Sequence, residues 1–323
     1  MTTDIPFERE MTPHYDEPQR ISPQVRRVLA RNPSPFTYLG SGTFILGYGE
    51  VTVVDPGPED PIHTDAILRA LDPGEHVSHI FVTHHHIDHV GGVPDLQVRT
   101  GARSYGFGWA APTQEKKSES FRFGDPEADA ADPLSSKAED EREKDNGPFQ
   151  PDVVLRHGDV VTIGDGTLEA LHTPGHASDH LCYAFAQEQL LLTGDHVMGW
   201  STSVIPPPDG DLNAYVASLE LLLDRDDTWY LPTHGPAVTR PRTLVKALLA
   251  HRRDRSQQIL DALLDGPHSV VEIVPRIYGN ISKQLWHGAA ASLWAHVLAL
   301  VDAGEVAQTE GELTRTSRIY RRS

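Results

Sequence analysis

The chain has 323 residues, too long for one small core and long enough for a large domain with a smaller appendage. Its 38% hydrophobic residues, 26 Gly and 25 Pro are the composition of a turn-rich globular protein and exclude fibrous and wholly disordered classes. The net charge of -18 is carried before residue 240, so that body disfavours nucleic acid and anionic membrane surfaces, and only the mildly basic tail keeps that option.

The start, MTTDIPFEREMTPHYDEPQR, has no apolar signal core, and nowhere do about 18 apolar residues run together, so a soluble cytoplasmic protein is expected. Short β-branched runs follow, FTYLG, TFILGY and VTVVD, then the helical spacing of HTDAILRALD and a further strand in HIFVTH. Residues 111–150 carry 11 acidic and 6 basic side chains and few apolar ones, which reads as an exposed insertion that Phe121, Phe123 and Phe149 could dock.

Strand-like DVVLRHG, DVVTIG, LEALHT, HLCYAF and QLLLTGD come next, then the helix LNAYVASLELLLDR with Asp211 as its N-cap. Cys182, the single cysteine, excludes a disulfide framework and reads as a small buried hydrophobe in HLCYAF. EVTVVDPG and QLLLTGDH are each an apolar strand ending in a Gly/Asp turn, and two similar halves with sheets face to face explain that echo. The class is mixed α/β. From about residue 243 the pattern is helix, helix, helix and hairpin, which suggests a winged-helix-like domain over 243–323 beside a main domain over 1–242.

The densest chemistry is THHHIDHVGG, residues 83–92. In an extended segment His84 and His86 share a face, so two nitrogen ligands converge there. Asp88 and His89 follow where the chain turns into a helix; adjacent residues diverge there, which suits a second centre and implies two metals. Imidazoles mixed with carboxylates favour Zn, Mn or Fe over Ca or Mg. The bland alternative is a set of hydrogen-bonded structural histidines.

THHHIDHVGG resembles the His-x-His-x-Asp-His motif of the metallo-β-lactamase fold superfamily, and VTVVDPG, HTPGHASDH, LLLTGDH and LPTHGP match its other motifs in order. The resemblance implies a four-layer αβ/βα sandwich with two divalent ions, most simply Zn. His84, His86 and His176 would hold one ion, Asp88, His89 and His234 the other, and Asp195 would bridge them. Asp55 would support the metal loop by hydrogen bonds, and Asp88 and Asp195 are the carboxylates expected to serve catalysis. His85, His172 and His196 are candidates to stand behind the ligands. His180 and Trp200, the latter in the stiff loop MGWSTSVIPPPDGDL, are candidates to touch substrate.

Two such ions, about 3.5–4 Å apart, share a water and acidify it towards neutral pH, which suits hydrolysis. The tail resembles that of a lactamase-β-like branch whose relatives include thioester hydrolases and an endoribonuclease. The expected function is hydrolysis of a small ester, thioester or lactone, with a small-molecule substrate, no membrane, and a homodimer left open. The alternatives are a metal-dependent endoribonuclease gripping RNA through the helix of Arg252, Arg253 and Arg255, and a non-catalytic binding protein.

Overall fold

Strands buried on both sides split their side chains between two cores, because successive residues point to opposite faces. In the computed structural model, which describes residues 4–108 and 149–322, this happens twice. Strands β1 (Gln19–Ser22), β2 (Val25–Leu29), β3 (Gly42–Leu46), β4 (Glu50–Val54), β5 (His76–Phe81), β6 (Arg103–Gly106) and β7 (Val153–Val154) form the first sheet in that order. Val25, Phe44, Leu46, Val54 and Phe81 face inward, while Val28, Ile45, Val51, Val53 and Ile80 face an outer core. That outer core is closed by α1 (Pro61–Arg69), α2 (Ile87–Val90) and α3 (Val93–Thr100).

The second sheet runs β12 (Trp229–Pro232), β11 (Leu190–Gly194), β10 (Leu181–Phe185), β9 (Gly166–His172), β8 (Val160–Ile163). Leu168, Leu181, Tyr183, Phe185, Leu190 and Leu192 meet the first sheet's inner face, while Leu171, Cys182, Ala184 and Leu191 pack outward on α4 (Leu212–Leu223) and α5 (Pro241–Ala262). The result is helix, sheet, sheet, helix, with each fully buried Leu or Phe contributing about 1.5–3 kcal/mol. The echoed segments occupy corresponding places: β4 pairs in parallel with β5, and β11 with β12, each after a helical crossover.

The tail adds α6 (Val270–Tyr278), α7 (Trp286–Asp302) and an antiparallel pair, β13 (Val306–Gln308) with β14 (Ile319–Arg321). Helix α5 serves both bodies: Leu244, Val245, Leu248 and Leu249 pack on the outer face of the second sheet, Ile259 and Leu260 in the tail's own core. Ser269 opens α6 with a reciprocal cap to Glu272.

FTYLG is not a strand. Ser34 Oγ accepts from the amides of Phe36 and Thr37, Ser34 and Tyr38 close a bridge, and Tyr38 takes a positive φ of 59°. Local capping of a turn has overridden β-propensity there. Asp211 caps α4 by accepting from the Ala214 amide at 2.8 Å. Phe149 packs beside Gly106, while Phe121, Phe123 and most of the acidic insertion lie outside the described residues. No helix among the described residues is long and apolar enough to cross a membrane.

Candidate metal centre

Five strand ends, those of β4, β5, β9, β11 and β12, carry the motifs to one edge of the sandwich, where loops display polar groups on a rigid frame. Asp55 follows β4 with φ 49°, a left-handed turn that aims its carboxylate under the other loops. It accepts from the Thr83 amide, Thr83 Oγ1 and Thr233 Oγ1, each at 2.8 Å, and pairs with His89 Nδ1 at 2.8 Å. One carboxylate thereby ties the ends of β5 and β12 together and is saturated in doing so.

His84 and His86 lie in the turn between β5 and α2, and His176 in the loop after β9. His84 Nε2 is 2.9 Å from His86 Nδ1, which is 3.1 Å from His176 Nε2. Nitrogens held by one tetrahedral cation at 2.0–2.1 Å stand about 3.3 Å apart, so the spacing fits a metal. The His176 ring is aimed by its other nitrogen, which donates to Val204 O at 2.6 Å. Its loop comes this close to α4 only because residue 175 is glycine: a Cβ there would sit 2.4 Å from Tyr215 Cα.

Asp88 and His89 open α2 beside His234. Asp88 Oδ2 is 3.1 Å from His234 Nε2 and 3.6 Å from His89 Nε2. Asp195 sits between the two groups: Oδ1 is 3.3 Å from His234 Nε2 and 3.6 Å from His89 Nε2, while Oδ2 is 3.6 Å from His176 Nε2. His89 Nε2 and Asp195 Oδ1 are buried without a hydrogen-bond partner, a condition costing about 1–3 kcal/mol per group. Orphaned atoms that converge in this way, with three overlapping His/Asp triads, fit two divalent cations. The donors alone do not choose the metal.

The electrostatics divide the cluster. Burial, with neighbouring imidazoles, pushes His84 and His86 well below the usual histidine range, so they stay neutral and can ligate. Burial also opposes a charge on His89, but Asp88, Asp55 and Asp195 overcome it and lift the ring to about 10. Against burial, His89 and His234 hold the Asp88 carboxyl well below its ordinary range. A divalent cation bound at this second triad would take the place of the proton that the neighbouring carboxylates favour on His89.

The other candidates fall in different places. His180 does not face a substrate: it is fully buried, with Nδ1 bonded to Thr173 Oγ1 at 2.9 Å and Nε2 accepting from the Asp195 amide at 3.2 Å. It props the backbone of Asp195 instead. Trp200 stacks on Tyr38, ring centroids 4.8 Å apart, over the turn beside His234, where a Cβ on Gly235 would come within 2.5 Å of the indole.

His85 turns away to Asp179, 2.9 Å off, and His172 reaches Ser178 O at 3.0 Å, so both brace the loop of His176. His196 is buried edge-on to Tyr215. Thr83, Thr233, Ser203 and Val204 are not ligand types, and Asp179 stood out by no spacing, so all five escaped sequence reasoning. The only local signal was the placing of Thr83 and Thr233 directly before His84 and His234.

This fold and cluster define a class, and comparison with known proteins agrees with it. The family model of the metallo-beta-lactamase superfamily matches residues 38–234, and the chain belongs to that superfamily. A lactamase-like protein, notP, of Aspergillus sp. (strain MF297-2) is 31% identical over 84% of this chain and 78% of its own length. An atrochrysone carboxyl ACP thioesterase of Aspergillus chevalieri is 29% identical over 88% of this chain and 83% of its own. A beta-lactamase domain protein from Burkholderia ambifaria superposes with a TM-score of 0.76 at 23% identity, covering 97% of this chain and 96% of that one.

Proposed function

We propose that the protein is a metal-dependent hydrolase of thioesters or related small esters and lactones, with zinc as the resident metal and the cytoplasm as its site of action. The observation that carries the reading is Asp195, whose two oxygens face two different histidine groups. Relatives named as acyl carrier protein thioesterases support the thioester. Two divalent ions, when bound, would acidify water and polarise the carbonyl under attack.

The chain's own residues supply the rest. His84, His86 and His176 offer one site and Asp88, His89 and His234 the other, while Asp55 and His180 hold His89 and Asp195 in register. Preorganised ligands of this kind need no rearrangement at the moment of reaction. Tyr38 and Trp200 offer an aromatic wall beside His234 for the acyl group.

The ribonuclease alternative is less supported: Arg252 is buried and bonded to Ser203 O, and Arg255 packs over the Tyr278 ring, which leaves Arg253 as the exposed one of the three. We read the tail as a winged-helix-like domain. Hydrolysis of an acyl N-acetylcysteamine thioester should vanish after chelation and return with Zn(II). Turnover that survives complete metal removal contradicts the reading.

A further inference from the structure

The strip Ser203–Val204–Ile205 lies between the candidate metal ligands and the tail. On the ligand side, Val204 O holds His176 Nδ1 at 2.6 Å, and Ser203 Oγ donates to Asp195 O at 2.6 Å. On the tail side, Arg252 Nη2 of α5 donates to Ser203 O at 2.6 Å, and Ser292 Oγ of α7 accepts from the Ile205 amide at 3.3 Å. The residues flanking Val204 are thus each pinned by a different tail helix, and the one between them aims a ligand.

The character of Arg252 argues that this clamp is more than packing. The residue is 4% exposed, its guanidinium lies 4.8 Å from the centre of the Tyr215 ring, and its Nε has no hydrogen-bond partner. Burying a cation is unfavourable, and a Leu or Met would fill such a volume with no charge to desolvate. What an arginine adds is a charge-assisted bond to one carbonyl, that of Ser203, beside its cation–π contact with Tyr215. Tyr215 closes the arrangement, its hydroxyl donating to His196 O at 2.9 Å. Farther along the same loop, Arg315 of the tail donates to Pro207 O at 2.6 Å.

We propose that Arg252 and Ser292 are positioning residues through which the tail sets the geometry of His176 and Asp195. The tail is then a part of the metal site, which the boundary between the two bodies hides. Groups that orient metal ligands commonly change affinity 10–100-fold when removed, and this pair acts one step farther out, through a backbone strip. Coupling is reciprocal, so metal binding also tightens the seat of α5 and α7.

The proposal rests on the metal-site reading, and the test separates the two. Zn(II) affinity is measured by chelator competition on the full-length chain, with Co(II) spectra as a report of ligand geometry. The variants are Arg252→Met, Ser292→Ala and, as a control, Val274→Ala in the tail's own core. Arg252→Met and Ser292→Ala should bind Zn(II) at least about tenfold more weakly and shift the Co(II) bands. Val274→Ala should lower the Tm and leave both readouts unchanged.

If Arg252→Met and Ser292→Ala lose only thermal stability, like the control, the clamp is structural and the proposal fails. Tighter binding by Arg252→Met also overturns it, because relief of charge repulsion would then outweigh positioning. Should Arg252→Met not fold, Ser292→Ala, which removes one hydroxyl, decides alone. A folded wild type that takes up no Zn(II) overturns the proposal together with the metal-site reading.

Discussion

Asp55 Oδ2 lies 2.8 Å from His89 Nδ1, and that contact decides which nitrogen His89 turns towards Asp88 and Asp195. The carboxylate touches none of the converging nitrogens itself; it orients from below. Asp55→Asn tests this cleanly, because Asn tolerates the φ of 49° that the turn demands. The amide keeps the shape and removes the charge. Metal affinity measured by chelator competition should fall about 10–100-fold with the fold retained.

Gly175 is required by proximity as well as by conformation. Its φ is 141°, and an added Cβ would stand 2.4 Å from both Cα and Cβ of Tyr215. The obstacle includes backbone, which cannot swing aside. Gly175→Ala should therefore destabilise by about 3 kcal/mol or more in a urea titration, at the upper end of overpacking costs. It should also displace His176, the next residue, and so lower metal content in whatever protein still folds.

Acid should weaken the fold through a histidine remote from the cluster's acids. Burial pushes His63 down to about 4, and its Nε2 lies 2.8 Å from Thr43 Oγ1. An unfolded histidine titrates near 6.5, so between about 6.5 and 4 the unfolded chain holds a proton that the folded one does not. Stability then falls as pH falls across that window, by up to roughly 3 kcal/mol for this group. Urea titrations in the presence of chelator should show a shallower slope for His63→Asn than for the wild type.

Metal removal should be felt in stability as well as in turnover. Ligands that bind only the folded state add about 2.7 kcal/mol when present at a hundred times their Kd. Chelated protein should melt lower than protein with Zn(II), and an Asp195→Ala variant should show a smaller difference between the two states. Equal melting temperatures with and without Zn(II) in the wild type would argue against a site that is formed by folding.

The ligand cluster was legible because its chemistry is local. His84, His86, Asp88 and His89 fall within six consecutive residues, and His176, Asp195 and His234 each sit beside Gly or a short apolar run, so type and spacing mark them. The sandwich was legible from apolar strands separated by turns, although FTYLG misled, since Ser34 and Gly40 outweigh its aromatic and β-branched residues. What holds the ligands was not legible. Arg252 meets Ser203 across 49 positions, and His85 meets Asp179 across 94, contacts that leave no periodicity to find. His180 misled for a related reason: four residues from His176 it looked available, and only the fold shows it buried behind Asp195.

The most direct measurement is the number of metal equivalents bound per folded chain, by elemental analysis after equilibration with Zn(II) and removal of excess. Two equivalents in the wild type, falling in Asp195→Ala, are predicted from a carboxylate that faces both histidine groups. A folded wild type that retains none would contradict the metal centre, and the proposed hydrolase with it.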